Sequence, residues 1–262
     1  MDLGISGKTA LVFGASRGLG RGISQALLQE AVNLVLVSRS PAESAAVLRQ
    51  SNINKNIKIY HLSLDTSDRH AVDSLLSFLA EKKIEIDILI NISKGPNVGM
   101  ALTMSSSQYE NDFQAMVGFY IEASRLLAQG MKQRNWGRII TIASSGVCQP
   151  IADLAISNTL RAALVSWNKT LANEVAADGI TVNTIIPGRI HTERVDEIDR
   201  ARAQRQQKDI SDVIKASQAT IPMQRYGTVA EFSTCVLYLC SQGAGYITGS
   251  SIRVDGGLVL SI

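Results

Sequence analysis

Short apolar runs alternate with longer stretches of helical spacing along this chain. Runs of β-strand character lie at Thr9–Phe13, Leu34–Ser38, Ile57–Leu62, Ile86–Ile90, Arg138–Ile142, Thr181–Ile186 and Ser251–Val254. Between them, Leu19–Glu30, Ala71–Glu81, Tyr109–Arg134, Leu154–Ala177 and Val229–Cys240 carry apolar residues three and four positions apart. Runs apolar on both faces, alternating with helices, are the mark of a parallel sheet covered on both sides. The pattern predicts an α/β fold: one domain over 1–262, with a doubly wound, mostly parallel seven-stranded sheet flanked by helices. No linker, repeat or composition break divides it. One segment interrupts the rhythm. Glu193 to Lys215 is dense in charge and glutamine and follows a Pro-Gly loop. It reads either as a solvated helix or as a lid, spanning 193–220, over a site at the C-terminal edge of the sheet.

Composition narrows the function classes. In 262 residues, 45% are hydrophobic and 19% charged, which supplies a sizeable core and excludes a disordered chain. Lys and Arg number 26 against 23 Asp and Glu, a net charge of +3 spread along the chain, so neither a nucleic-acid partner nor a membrane partner is expected. The opening MDLGISGKTALVFG lacks the pattern of a signal peptide, and the apolar runs are shorter than the roughly 20 residues of a membrane helix. Cys148, Cys235 and Cys240 form no C-x-x-C pair. No metal or disulfide framework follows from them, and the expected compartment is the cytoplasm. Cys235 and Cys240 read as small core fillers.

The first strand runs into Gly14-Ala15-Ser16-Arg17-Gly18-Leu19-Gly20 and then into a helix and a second strand. Gly14 would let the chain turn off the strand, Gly18 would admit the backbone to a pyrophosphate, and Gly20 would let helix and sheet approach. The helix N-terminus beyond offers free N–H groups to phosphate. Strand, turn, helix and strand in this order make the glycines a dinucleotide-binding signature of the Rossmann type. At the end of the second strand, Ser38 and Arg39 stand where an NAD site places a carboxylate. A hydroxyl and a guanidinium suit a 2′-phosphate, and Arg17 is expected to add a second cation, so NADP(H) is favoured over NAD(H).

These residues resemble the short-chain dehydrogenase/reductase family over almost the whole chain. Asp65, followed by Thr66, is similar to the family's adenine-contacting aspartate, and Pro187-Gly188-Arg189-Ile190-His191-Thr192 resembles its Pro-Gly loop with a downstream threonine. Tyr246-Ile247-Thr248-Gly249 and Asp255-Gly256-Gly257 resemble its C-terminal pattern. The family's Asn-Asn-Ala-Gly turn is replaced by Asn91-Ile92-Ser93-Lys94. The resemblance implies cofactor contacts from the glycine loop including Ser16 and Leu19, from Ser38 and Arg39, from Asp65 and Thr66, from Asn91 and Ser93, from Arg161, and from Pro187, Gly188, Ile190 and Thr192. It also implies a homo-oligomer, a dimer or tetramer, with Leu154–Ala177 as a candidate interface helix; its stripe of Leu160, Leu164, Trp167 and Leu171 serves equally as core.

The family's proton-transfer group departs from the pattern. Its serine corresponds to Ser144, but its tyrosine position falls on Ser157, its lysine on Arg161 and its asparagine on Met116. Of six tyrosines, none lies between Tyr120 and Tyr226. An alkyl hydroxyl is a far poorer acid than a phenol, and a guanidinium gives up no proton. Lys94 is a gained cation that would bind an anion or donate a proton; Asp153 and His191 are further ionisable candidates, each with a solvated reading beside the functional one. The candidate catalytic set is Ser144, Ser157, Arg161 and Lys94. The resemblance extends to a divergent branch of the family that lacks the tyrosine, through Ser157-Asn158, Ala162-Ala163 and the ending Leu260-Ser261-Ile262. The resulting expectation is an NADP(H)-dependent reductase acting on a small carbonyl or enone. The alternatives are a non-catalytic dinucleotide sensor or scaffold, and a 3-oxoacyl-type ketoreductase with a replacement proton donor.

Overall fold

Seven strands form one parallel sheet in a computed structural model that describes residues 2–52 and 56–261. They are β1 (Thr9–Phe13), β2 (Asn33–Ser38), β3 (Ile59–Ser63), β4 (Ile88–Ile92), β5 (Gly137–Ile142), β6 (Ile180–Pro187) and β7 (Ser251–Val254), in the spatial order β3-β2-β1-β4-β5-β6-β7. The order reverses beside β1, so β1 and β4 are neighbours whose following loops leave in opposite directions, which opens a crevice at their C-terminal ends. β5 is buried along its whole length and β6 nearly so, as strands covered on both faces must be. β7 closes one edge with alternate residues exposed.

Nine α-helices among the described residues cover the sheet: α1 (Gly18–Gln29), α2 (Ala42–Ser51), α3 (Ala71–Glu81), α4 (Ser106–Phe113), α5 (Phe119–Gln133), α6 (Ala155–Val175), α7 (Glu193–Gln206), α8 (Ile210–Ala219) and α9 (Val229–Cys240). Two large apolar clusters form, one on each face. Leu11, Phe13, Leu75, Phe119, Leu127 and Leu164 belong to the first, and Val12, Ile23, Leu34, Ile90, Phe232 and Val236 to the second. α1 and α9 touch where Gly22 meets Val229; a Cβ at Gly22 would lie 2.0 Å from the valine. Capping boxes start α4 (Ser105 with Gln108) and α9 (Thr228 with Glu231), each satisfying two otherwise orphaned N–H groups.

The expected alternation and the single sheet are present, with β3 starting two residues later than expected, α2 added between β2 and β3, and three further local differences. β4 begins at Ile88 rather than Ile86, because Asp87 still lies in the loop, its N–H bonding Thr9 O. The long helix expected over Tyr109–Arg134 is three pieces, with a π-helical turn at Gln114–Gly118 between α4 and α5. The charged segment is two helices, separated where Gln207 adopts a left-handed conformation (φ 51°) and Asp209 caps α8. In α6, Leu160, Leu164 and Leu171 are buried within their own chain, and Trp167 packs partly against the cluster that holds Leu164 and Leu171. Cys240 is buried and Cys235 half-buried, as core fillers; burial pushes the Cys240 thiol up to about 12. Ile262, the last residue of the ending noted above, lies outside the described residues, as does Met1 of the 1–262 span.

Candidate active site

The glycine loop has the geometry its spacing predicts. Gly14 and Gly18 take positive φ (64° and 53°), and a Cβ at Gly20 would lie 2.2 Å from Gly14 O, so backbone occupies the space of a side chain. The Ser44 hydroxyl ties the loop down by donating to Ala15 O at 2.9 Å. α1 starts with no acidic residue in its first turn and no side-chain cap, leaving its N-terminal N–H groups available. Ser16 is partly buried in the loop and Leu19 packs into the core beneath it. Across the crevice, Pro187 ends β6, and Gly188 passes so close to Asp255 that a Cβ would lie 2.6 Å from its Cα. Ile190 is buried, and Thr192 stands 3.6 Å from the Cβ position of Gly18 with its hydroxyl unused as a cap.

The basic residues divide into separate groups. Arg17 does not join Arg39: its guanidinium bonds Glu197 of α7 at 2.9 Å, while Arg21 reaches Glu193 at 3.5 Å. In the structure Arg17 is thus paired with α7 across the glycine loop, in an exposed ion pair. Arg39 and Lys94 form no ion pair among the described residues, and both act on Asp65. Hydrogen bonds from Ser67 N–H and Oγ, helped by Lys94 and Arg39, hold the Asp65 carboxyl below its ordinary value. Lys94 therefore adds positive charge on the side of Asp65, near the ends of β2 and β3. Beside them, Ser38 Oγ is buried without a partner.

Two further expected contacts spend their side chains on the scaffold. Asn91 is buried, its amide donating to Ser124 Oγ at 3.0 Å and Thr141 Oγ1 at 3.4 Å. The Thr66 hydroxyl donates to Ala115 O at 3.1 Å, satisfying a carbonyl within the π-helical turn. That turn carries Met116, which is buried against Ile156 and Leu160 of α6. An apolar contact between helices occupies the asparagine position.

At the C-terminal ends of β4 and β5, the positions of the proton-transfer group meet. Ser157 is buried on the first turn of α6, and its Oγ accepts from Arg161 Nε at 3.3 Å, one helical turn on. Arg161 also points Nη1 at Ile142 O (3.4 Å) and Nη2 at Ser93 O and Lys94 O (3.5 Å each). All four acceptors are neutral, and no carboxylate lies within ion-pair distance among the described residues. Burial depresses the guanidinium pKa, but the group remains a cation at any physiological pH. Ser144, at the end of β5, accepts from Gly146 N–H at 3.2 Å and keeps its own proton free to donate. Asp153 and His191 lie apart from this cluster: Asp153 is an exposed left-handed residue whose carbonyl accepts from Gly99, and His191 is exposed and bonds Asp196 at 3.1 Å.

The family described as enoyl-(acyl carrier protein) reductase matches residues 14–259. This chain belongs to the short-chain dehydrogenase/reductase family. The 3-oxoacyl-(acyl carrier protein) reductase of Buchnera aphidicola is 32% identical over 260 residues, covering 98% of this chain and 99% of its own. Among solved structures, the L-sorbose reductase of Gluconobacter frateurii, complexed with NADPH and L-sorbose, superimposes with a TM-score of 0.94 at 28% identity, covering all of both chains. YwfH, an NADPH-dependent reductase involved in bacilysin biosynthesis, does so with a TM-score of 0.91 at 28% identity, over 98% of this chain and all of its own.

As a short-chain dehydrogenase/reductase the protein is an oxidoreductase, and its site contains features that reading the sequence missed. Tyr120 is buried beneath Arg161, its hydroxyl donating to Ile92 O at 2.8 Å, and burial raises its pKa. It packs edge-on with Phe13 and Phe119. In the sequence Tyr120 marked only the edge of the stretch without tyrosine, and nothing local placed it near the site. Asp199, buried in the middle of α7, bonds Arg189 (3.3 Å) and Tyr226 (2.8 Å), fixing α7 to the Pro-Gly loop. A lone carboxylate in a highly charged helix gave no sign of this.

Proposed function

We propose that this protein is an NADP(H)-dependent reductase of the branch that lacks the Tyr–Lys pair, and that it reduces a conjugated enone. The observation that carries the reading is the Ser157–Arg161 contact, a pair of groups that stabilise negative charge without a proton to give. The glycine cradle fits a pyrophosphate, and the buried unpartnered Ser38 Oγ with Arg39 and Lys94 beside it fits a 2′-phosphate. Asp65, Gly188, Ile190 and Thr192 complete the set that would hold the dinucleotide, and Arg161 would border its nicotinamide end. When bound, the cofactor supplies a hydride to a substrate carbon. With an enone that carbon is the β-carbon; the electron pair of the C=C bond moves toward the carbonyl oxygen and leaves an enolate. Arg161 and the Ser144 and Ser157 hydroxyls donate to that oxygen, and water protonates the α-carbon, so one proton is taken up per molecule reduced. α7 and α8 act as the lid, tethered to the glycine loop by Arg17–Glu197 and to the Pro-Gly loop by Asp199. A cytoplasmic protein, assembled as a dimer or tetramer through the exposed edge of β7, completes the reading; sedimentation checks the assembly.

The test compares an enone with its saturated ketone, following NADPH consumption by absorbance. Consumption with the enone and little with the ketone is expected, together with a slower enone rate in Ser157→Ala. Equal turnover of the saturated ketone would overturn the mechanism. It would support a second reading, a 3-oxoacyl-type ketoreductase, which the names of the curated relatives favour. Replacing Arg39 and Lys94 by alanine is expected to weaken NADPH binding while leaving NADH binding nearly unchanged, measured by calorimetry.

A further inference from the structure

Arg161 carries more positive charge than its surroundings use. It is a partly buried cation whose four hydrogen-bond acceptors are one hydroxyl and three backbone carbonyls, all at 3.3–3.5 Å. Charge-assisted bonds to a carboxylate run shorter, about 2.7–2.9 Å. A buried cation without an anion is costly, and a protein that keeps one normally pairs it.

The carboxylates on the glycine-loop side and in α7 are already committed, and the exposed Asp153 makes no ion pair with Arg161 among the described residues. Asp65 accepts from Ser67 and faces Arg39 and Lys94, Glu193 and Glu197 are held by Arg21 and Arg17, and Asp199 is held by Arg189 and Tyr226. A 2′-phosphate does not fill the gap either. Arg39 ends β2, three strands from β5, and at about 4.8 Å per strand that is roughly 14 Å from the Arg161 cluster. A transient enolate oxygen would balance the charge only during turnover.

From this we infer that Arg161 anchors a permanent carboxylate on the substrate, which makes the substrate an anionic carbonyl compound rather than a neutral ketone or thioester. The inference rests on the reductase reading for the location of the site and extends it to the substrate class. A planar guanidinium can fork onto a carboxylate and still keep an N–H for the neighbouring carbonyl oxygen, which a lysine ammonium at the same place does less well. Ser144 and Ser157 then serve the oxygen that gains charge. Removing the anion by esterification takes away the partner that Arg161 lacks in the free protein.

The test uses the matched pair trans-4-oxo-2-pentenoate and its methyl ester. Both are titrated calorimetrically into the protein saturated with NADP⁺, which cannot donate a hydride. The carboxylate is expected to bind ~10–100-fold more tightly than the ester. Arg161→Gln is expected to abolish the difference and Arg161→Lys to retain part of it, with thermal melts confirming that both variants are folded. Equal affinities for acid and ester, including no measurable binding of either at millimolar concentration, would overturn the inference, as would a preference for the acid that persists in Arg161→Gln. Activity separates this result from the parent reading. Binding preference without NADPH turnover of any enone keeps the anion site and removes the reductase assignment; turnover of acid and ester with equal affinity does the reverse.

Discussion

An arginine stands at each end of strand β5, Arg138 buried and Arg161 of α6 partly buried, and the two are held in opposite ways. At its start, Arg138 donates to the carbonyls of Gly137 (2.8 Å), Ser241 (3.2 Å) and Gly179 (3.3 Å), and its guanidinium stacks 4.6 Å from the Trp136 ring centroid. At its end, Arg161 touches Ile142 O and three other neutral acceptors, with no hydrogen bond shorter than 3.3 Å and no ring stacked on its guanidinium among the described residues. Burial depresses both pKa values, and neither arginine has a carboxylate partner among the described residues. The difference lies in what the surrounding backbone does. Around Arg138 the chain folds back so that carbonyls from β5, from the turn before β6 and from the end of α9 converge on one guanidinium. Around Arg161 the strands simply stop, and the cation faces a crevice. The first arrangement is finished without a ligand and the second is not.

The largest expected effect separates them by stability. Arg138→Ala takes a donor from three carbonyls and the stem from its packing against Trp136, and should cost about 3 kcal/mol, or roughly 10 °C in melting temperature for a chain of this size. Arg161→Met should behave differently. It removes a partly buried charge that has no anion among the described residues, so stability should stay level or rise by about 1 kcal/mol while reductase activity collapses. Chemical denaturation of the two variants decides the matter: equal losses would mean that Arg161 is as structural as Arg138.

A smaller effect tests the floor beneath Arg161. Tyr120 donates one buried hydrogen bond to Ile92 O, so Tyr120→Phe should cost about 1 kcal/mol of stability. Its rate with an enone should be unchanged, and so should its pH–rate profile. Burial raises the phenol's pKa and keeps the proton on through the neutral range, so it offers no titration there. A rate loss in Tyr120→Phe beyond the loss of folded protein would return a tyrosine to the proton-transfer step.

The ends of β5 also show what could be read from the chain alone. β1, α3, α9 and β7 lie where periodicity placed them, since short apolar runs between turn residues leave little choice of register. The i to i+4 relation of Ser157 and Arg161 was equally legible, because helix geometry alone brings them together. The other acceptors of Arg161 come from the end of β5 and from Ser93 and Lys94 in the loop after β4, brought near by the order of strands in the sheet, and no local pattern encodes them. The same limit hid the direction of Lys94 toward Asp65 and of Arg17 toward Glu197, both set by elements far away in sequence. α7 and α8 were blurred for a different reason: with polar residues on nearly every face of α7, nothing marked the left-handed break at Gln207.

A third arginine completes the comparison and gives the smallest effect. Arg225 forks onto Glu231 at 2.9 and 2.6 Å, the anion that both β5 arginines lack, but the pair lies on the surface. Glu231 also closes the capping box of α9 by accepting from Thr228. Arg225, followed by the Thr228 contacts, holds its carboxyl at about 2, below the ordinary 4.5. A folded-state pKa below the unfolded one stabilises the protein above about 4.5, and the contribution fades as the pH falls toward 2. Glu231→Gln should therefore melt slightly below the parent protein at neutral pH, by less than either effect at β5's start or floor, since solvent screens the pair. The gap between the two proteins should narrow on acidification and close near pH 2. Thermal melts across that range test the assignment; a gap that widens toward acid would mean that the carboxylate is under strain in the fold, and that ideal fork geometry at the surface is no guide to what Arg161 gains from an anion in the crevice.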